Sequence, residues 1–217
     1  MSTYKFVAAL SLATLALQAD ASVITIQTGY STAGSQTSAN AYRDVVNAAI
    51  QAQAQNKTPG YGTKQVAVYE NLTNKALFGT DSNFAWKATI DFGVTSSQAG
   101  TWSFRTGVDF GFGGAMFLDG VALTFNSNNM WWGGNYNTAS QFLAGSKNLA
   151  AGNHTLTIFG LENCCDGSEQ AQFRIGNGQY TSFASTDGLK ALPEPATMAS
   201  FGLGLAMLGL SRRRQRP

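Results

Sequence analysis

The most constraining feature of this 217-residue chain is a succession of short runs in which apolar and polar residues alternate, separated by turn residues. Thr101 to Val108 puts Trp102 and Phe104 on one face and Ser103 and Arg105 on the other. That period of two is the signature of a half-buried strand. Val23-Ile24-Thr25-Ile26, Gln65 to Glu70, Phe84 to Phe92, Glu169 to Ile175 and Tyr180 to Ala184 read the same way. So does His154 to Leu161, with Leu156 and Ile158 on one face. Ala115 to Leu118 and Val121 to Phe125 flank Asp119-Gly120, a dipeptide that closes a type I′ hairpin. These are nine short strands with turn signals between them. They predict a mainly β fold, a jelly-roll-like antiparallel β-sandwich. One stretch breaks the pattern. Tyr42, Val45, Val46, Ala49 and Ile50 fall on one helical face, with Ser38 as N-cap, predicting a single N-terminal amphipathic helix packed on the edge or face of a sheet.

The two ends are written differently from the body. Lys5 precedes an apolar segment, Phe6 to Leu17, and Ala19-Asp20-Ala21 supplies an A-x-A cleavage pattern at Ala19 and Ala21. Residues 1–21 therefore read as a secretory signal peptide, with the mature chain starting near Ser22. The other end has three parts. Pro193-Glu194-Pro195 holds the backbone near extended geometry. Ala196 to Leu210 is an uncharged run suited to a helix in lipid, shorter than the roughly 20 residues of a comfortable span. Arg212, Arg213, Arg214 and Arg216 then keep the terminus cytoplasmic. An ordinary tail anchor and a transient sorting signal both fit this layout, and the short, Gly-interrupted span favours the signal. Residues 22–192 remain for one domain with a real core.

The formal charge of +2 belongs to the ends. Of 14 basic residues, Lys5 and four tail arginines lie outside the body, as do Asp20 and Glu194 among 12 acidic residues. The body is left close to one net negative charge, with no basic field to draw nucleic acid.

The ordered tail Pro193-Glu194-Pro195, apolar helix and Arg-rich end resembles the PEP-CTERM sorting signal of bacterial surface and secreted proteins. The resemblance implies an exosortase, a membrane-embedded cysteine protease, as processing partner. Pro193 to Pro195 and Arg212 to Arg214 are then substrate features, and the chain is held in the inner membrane only until processing. Cys164-Cys165-Asp166-Gly167 is similar to the CCxG motif of one subgroup of these proteins. A second resemblance covers about Phe84 to Arg174. Gly100-Thr101-Trp102-Ser103-Phe104-Arg105, Met116-Phe117-Leu118-Asp119-Gly120 and Ala151-Gly152-Asn153-His154-Thr155-Leu156 are similar to the protective-antigen-type lectin-like domain, a β-sandwich that often binds sugars. Sugar-binding members hold calcium with two consecutive aspartates. Here Val108-Asp109-Phe110-Gly111 supplies Asp109 alone, so no cofactor is expected and calcium is poorly provided for.

Few residues invite chemistry. Cys164 and Cys165, in an oxidising compartment, have three options: a bond to each other, crosslinks to a partner, or half of a soft-metal site that His154, the sole histidine, could extend. His154 sits at the start of a strand and reads as structural. Asp109, Asp119, Glu162 and Asp166 show no spacing that marks a hydrolytic carboxylate pair. The loop from Asn126 to Asn137 carries five asparagines with Trp131, Trp132 and Tyr136. Flat rings and side-chain amides suit sugar contact, and one tryptophan closing the core beneath the loop is the plainer alternative. Candidate glycan-binding residues are Asp109, Asn129, Trp131, Trp132 and Tyr136. The expectation is a non-enzymatic exported protein of the cell envelope or extracellular matrix, structural or adhesive, touching extracellular polysaccharide or matrix proteins. A calcium-independent lectin module is the alternative, and a secreted glycoside hydrolase a third.

Overall fold

The computed structural model describes residues 22–189. The expected signal peptide with Ala19 and Ala21, and the whole PEP-CTERM tail from Pro193 through its apolar run to Arg214, lie outside those residues. Among the described residues no helix is long and apolar enough to cross a membrane.

Ten strands and two α-helices run in the order β1 (Val23–Tyr30), α1 (Ala39–Asn56), β2 (Thr63–Val66), α2 (Asn74–Phe78), β3 (Phe84–Val94), β4 (Gly100–Gly107), β5 (Gly114–Leu118) and β6 (Val121–Asn126). After a short 3-10 turn, Ala139–Gln141, come β7 (Phe142–Leu149), β8 (Gly152–Glu162), β9 (Gln170–Ile175) and β10 (Thr181–Ser182). They form two sheets with strand orders β2-β1-β3-β8-β5-β6 and β10-β9-β4-β7, every pairing antiparallel.

The alternation in the sequence becomes the division between two cores. Ile24, Ile26, Trp86, Ala88, Ile90, Met116, Leu156 and Ile158 point from the larger sheet toward Trp102, Phe104 and Phe173 of the smaller one. Rings of Phe92, Trp102, Phe173 and Phe183 meet there with centroids 4.8–5.7 Å apart, a spacing at which aromatic pairs add about 0.5–1.5 kcal/mol each beyond their burial. The opposite residues of the same strands, Ala85, Ala115, Phe117, Phe159 and Leu161, face outward and are covered by Ala39, Tyr42 and Val46 of α1. Ser38 caps α1 by accepting a hydrogen bond from the Ala41 N–H at 3.2 Å. The Tyr42 hydroxyl donates to the Phe112 carbonyl at 2.6 Å. The helix therefore sits on the face of the larger sheet, which is why β5 is apolar and buried on both sides.

Three local readings change. The strand expected over Gln65 to Glu70 stops at Val66. Beyond it the chain crosses to the other sheet, where Val68 bridges Ala184. Residues 142–149, where the sequence reading places no strand, form β7. As an edge strand it buries only Leu143 and Leu149, so Gly145, Ser146, Lys147 and Asn148 hid its period. The short α2, capped by the Thr73 hydroxyl, left too few residues for a helical period to show. At the hairpin, Asp119 and Gly120 have φ of 50° and 77°, as a type I′ turn requires.

Candidate functional site

The loop between β6 and β7 is held by one antiparallel bridge. The Phe110 N–H donates to Met130 O at 2.9 Å, and the Met130 N–H donates back to Phe110 O at 3.1 Å. This extended pairing makes side chains alternate. Asn129 and Trp131 face solvent, the latter 64 % exposed, while Met130 and Trp132 are buried. Trp132 lies flat on Gly107, where any Cβ would collide with its ring, and its Nε1 donates to Asn135 O at 3.0 Å. Tyr136 stands between these extremes, with its ring 5.7 Å from Trp132 and 5.3 Å from Phe142. The Gly107 N–H donates to its hydroxyl, which donates to Gln170 O, both at 3.3 Å. Burial pushes this phenol up to about 12. Of the five candidate residues, Asn129 and Trp131 are open to a ligand, Tyr136 is half-buried, and Trp132 and Asp109 are buried.

Asp109 belongs to a group that sequence spacing does not reveal. With Glu162, Asp166 and Glu169 it forms an acidic cluster beyond the C-terminal end of β8, each carboxylate within the electrostatic reach of another. Burial raises all four; Asp109 and Asp166 reach about 6, and Glu169 lies well above the usual carboxylate range. Neighbouring carboxylates push further on Asp109, Asp166 and Glu169, whereas backbone N–H groups pull Glu162 back. Glu162 accepts from the N–H groups of Gly111, Asn163 and Cys164. Asp166 accepts from the Lys75 N–H at 2.9 Å. Glu169 is fully buried; its Oε2 accepts from the Tyr69 hydroxyl at 3.2 Å, which accepts from Trp86 Nε1 at 3.0 Å. Nothing in the spacing of Glu169 marked it for this cluster.

Asp109 and Glu162 among these four carboxylates are held by the main chain. The Asp109 carboxylate is pressed against the Gly167 backbone, and the Glu162 oxygens are engaged by main-chain N–H groups. Among the described residues no three carboxylate, histidine or cysteine side chains converge on a metal position.

The other singled-out residues separate. His154 lies near the start of β8 and the cysteines just beyond its end. His154 Nδ1 is 2.7 Å from Asp119 Oδ2, and its Nε2 is 3.0 Å from Ala150 O. Asp119 Oδ1 accepts from the Thr155 N–H at 2.9 Å. The pair thus ties the β5–β6 turn to β8 and is unavailable to the thiols. Cys164 and Cys165 are joined to each other by a disulfide. Cys165 has φ of 73°, and its N–H donates to Asp81 O at 2.9 Å.

Residues 191–215 match the PEP-CTERM protein-sorting motif. The chain carries a PEP-CTERM sorting signal. The matched span includes Pro193-Glu194-Pro195 and Arg212 to Arg214, and the motif marks the chain for exosortase-dependent export and sorting to the cell envelope. No curated protein matches the sequence. Among solved structures, the PA14 sugar-binding domain from an RTX adhesin is similar at 14 % identity and a TM-score of 0.50, over 80 % of this chain and 99 % of that one. The PA14 domain of the antifreeze protein MpAFP gives 13 % and 0.48, over 79 % and 91 %. The Epithelial Adhesin 9 A domain from Candida glabrata, in complex with Galb1-3GlcNAc, gives 8 % and 0.43, over 80 % and 90 %. At these identities the likeness to the RTX adhesin domain concerns the fold, and it agrees with the lectin-like sandwich expected from the sequence.

Proposed function

We propose that this PEP-CTERM protein is a non-enzymatic component of the bacterial envelope or extracellular matrix, sorted by exosortase, whose sandwich contacts glycan. In this reading residues 1–21 are removed on export and residues 22–192 form the working domain. Residues 193–217 span the inner membrane until exosortase acts at Pro193-Glu194-Pro195. The observation that carries the glycan reading is Trp131, an indole held open to solvent by the Phe110–Met130 bridge, with Asn128 and Asn129 exposed just before it in the chain. Such a ring stacks on a sugar face while amides meet hydroxyls. Support also comes from the sandwich it shares with a sugar-binding adhesin domain. Asp109 and Trp132 act here by holding the loop and the end of β8, not by touching a ligand.

The engagement of Asp109 and Glu162 by the main chain favours contact that does not need calcium. A calcium-independent lectin module with one defined saccharide is therefore the second reading. The same engagement leaves Asp109 and Glu162 unsuited to act together as a hydrolytic acid pair. A glycan array read with wild type and Trp131→Ala tests the proposal. Binding should survive chelator and weaken about tenfold or more in the variant, the loss expected for one stacked ring. Equal binding by both proteins would remove Trp131 from the site. Binding to nothing would leave a purely structural role.

A further inference from the structure

The outer face of the smaller sheet carries a second arrangement that sugar stacking at Trp131 does not use. Arg105 on β4 projects there, and its guanidinium lies 3.7 Å from the Tyr136 ring centroid and 3.8 Å from that of Tyr180. Arg174 on β9 lies over the same Tyr180 ring at 4.8 Å. The result is a ladder of ring, cation, ring and cation. Ser103 pairs with Arg174 and Arg105 with Gln172 across β4 and β9, so the two arginines are diagonal neighbours on one face. Arg105 Nε donates to Gln172 Oε1 at 2.8 Å.

Among the described residues neither guanidinium has an acid paired with it. Among the described residues the ion pairs are Arg43–Asp44, Lys75–Asp81 and His154–Asp119. Glu70, at the margin of the face, is taken by Gln170 Nε2 at 2.8 Å. Arg174 Nε is buried without a hydrogen-bond partner. Burial and the neighbouring Arg174 charge both disfavour the charged state of Arg105, while the tyrosine rings offset part of that cost. Two half-buried guanidiniums held side by side, with donors left over and no carboxylate supplied by the fold, are complementary to an external anion. Gln172 Nε2 donates to the Ser182 hydroxyl on the same face at 3.4 Å, and Tyr136 joins the face to the Trp131 loop.

We propose that this face binds the carboxylates of a uronate-bearing polysaccharide, with Arg105 and Arg174 as the anchoring pair. Repeating carboxylates along an extended chain suit two arginines spaced on a flat sheet, and the Trp131 loop extends the same surface. The proposal rests on the glycan-contacting reading above and names its ligand class.

The test uses the full chain purified in mild detergent, with polygalacturonate, dextran sulfate and neutral dextran as probes in affinity electrophoresis. Polygalacturonate should retard the protein most, and added salt should weaken the effect. Arg174→Gln and Arg105→Lys should each lower its affinity about tenfold, since each removes charge-assisted or forked hydrogen bonds. Thermal melting checks that the variants fold; Arg174→Gln, with its unpartnered Nε, carries the test if Arg105→Lys does not. Equal retardation by dextran sulfate would reduce the face to a general polyanion patch and overturn the uronate assignment. Binding to neutral dextran that is indifferent to both arginines and lost in Trp131→Ala would overturn this inference and leave the glycan reading standing. Binding to none of the probes, with no hit on a glycan array, would remove both.

Discussion

At the residue scale the most informative groups are buried acids. A carboxyl whose folded pKa is raised binds its proton more tightly folded than unfolded. Its stabilisation is complete below the unfolded value, about 4, and is lost as pH rises through the folded value. For Asp109 and Asp166 that upper limit is about 6; Glu169 extends it upward. The melting temperature should therefore fall by several degrees between pH 5 and pH 8. Glu169→Gln, which keeps the shape but cannot ionise, should flatten that fall in scanning calorimetry. The exposed Lys75–Asp81 pair works in the opposite sense, since Asp81 is lowered by Lys75, and as a surface pair it carries little weight. A melting temperature that climbs from pH 5 to pH 8 would contradict the burial of these carboxyls. The Asp119 turn gives a second expectation. Asp119→Ala removes the acceptor for Thr155 and His154 and places a Cβ residue poorly suited to φ of 50° in the turn. A loss of about 1–3 kcal/mol is expected in denaturant unfolding.

At the element scale, legibility followed burial. Strands with one or both faces in a core, such as β3, β4 and β8, showed their periods because Trp86, Trp102, Phe104, Leu156 and Ile158 had to be apolar. The helix showed its face because Tyr42 and Val46 are buried against the larger sheet. The edge strand β7 was hidden by exposed Lys147 and Asn148. The candidate site was legible only in composition. Trp131 and Trp132 are adjacent, and which of them points outward is decided by the bridge to Phe110 and by the bare backbone of Gly107. The acidic cluster joins Asp109 to residues more than fifty positions away, and the arginine ladder joins β4 to β9 through two tyrosines in separate loops. Such meetings are set by strand register, which short motifs do not encode. The docking of α1 is open to a simple check. Ser38→Ala should cost about 1 kcal/mol through loss of the N-cap. Tyr42→Phe should cost a similar amount by leaving the Phe112 carbonyl without its 2.6 Å donor. An unchanged denaturation midpoint in both variants would mean that α1 contributes little to the fold.

At the scale of the whole molecule, the chain joins an address to a body. The PEP-CTERM motif at residues 191–215 supplies export and sorting. The two-sheet sandwich supplies a rigid platform whose loop and outer face turn toward the surroundings. Changing Pro193-Glu194-Pro195 to alanines, or deleting Arg212 to Arg216, should leave unprocessed, membrane-bound protein in cell fractionation. Release of either variant like wild type would sink the sorting mechanism. The most direct single measurement is the intact mass of the protein recovered from its native envelope and medium. The expected species begins near Ser22 and ends near Pro193, lighter by the two hydrogens lost in the Cys164–Cys165 bond. A species that retains the tail through Pro217 would contradict this expectation and make the C-terminus a permanent anchor.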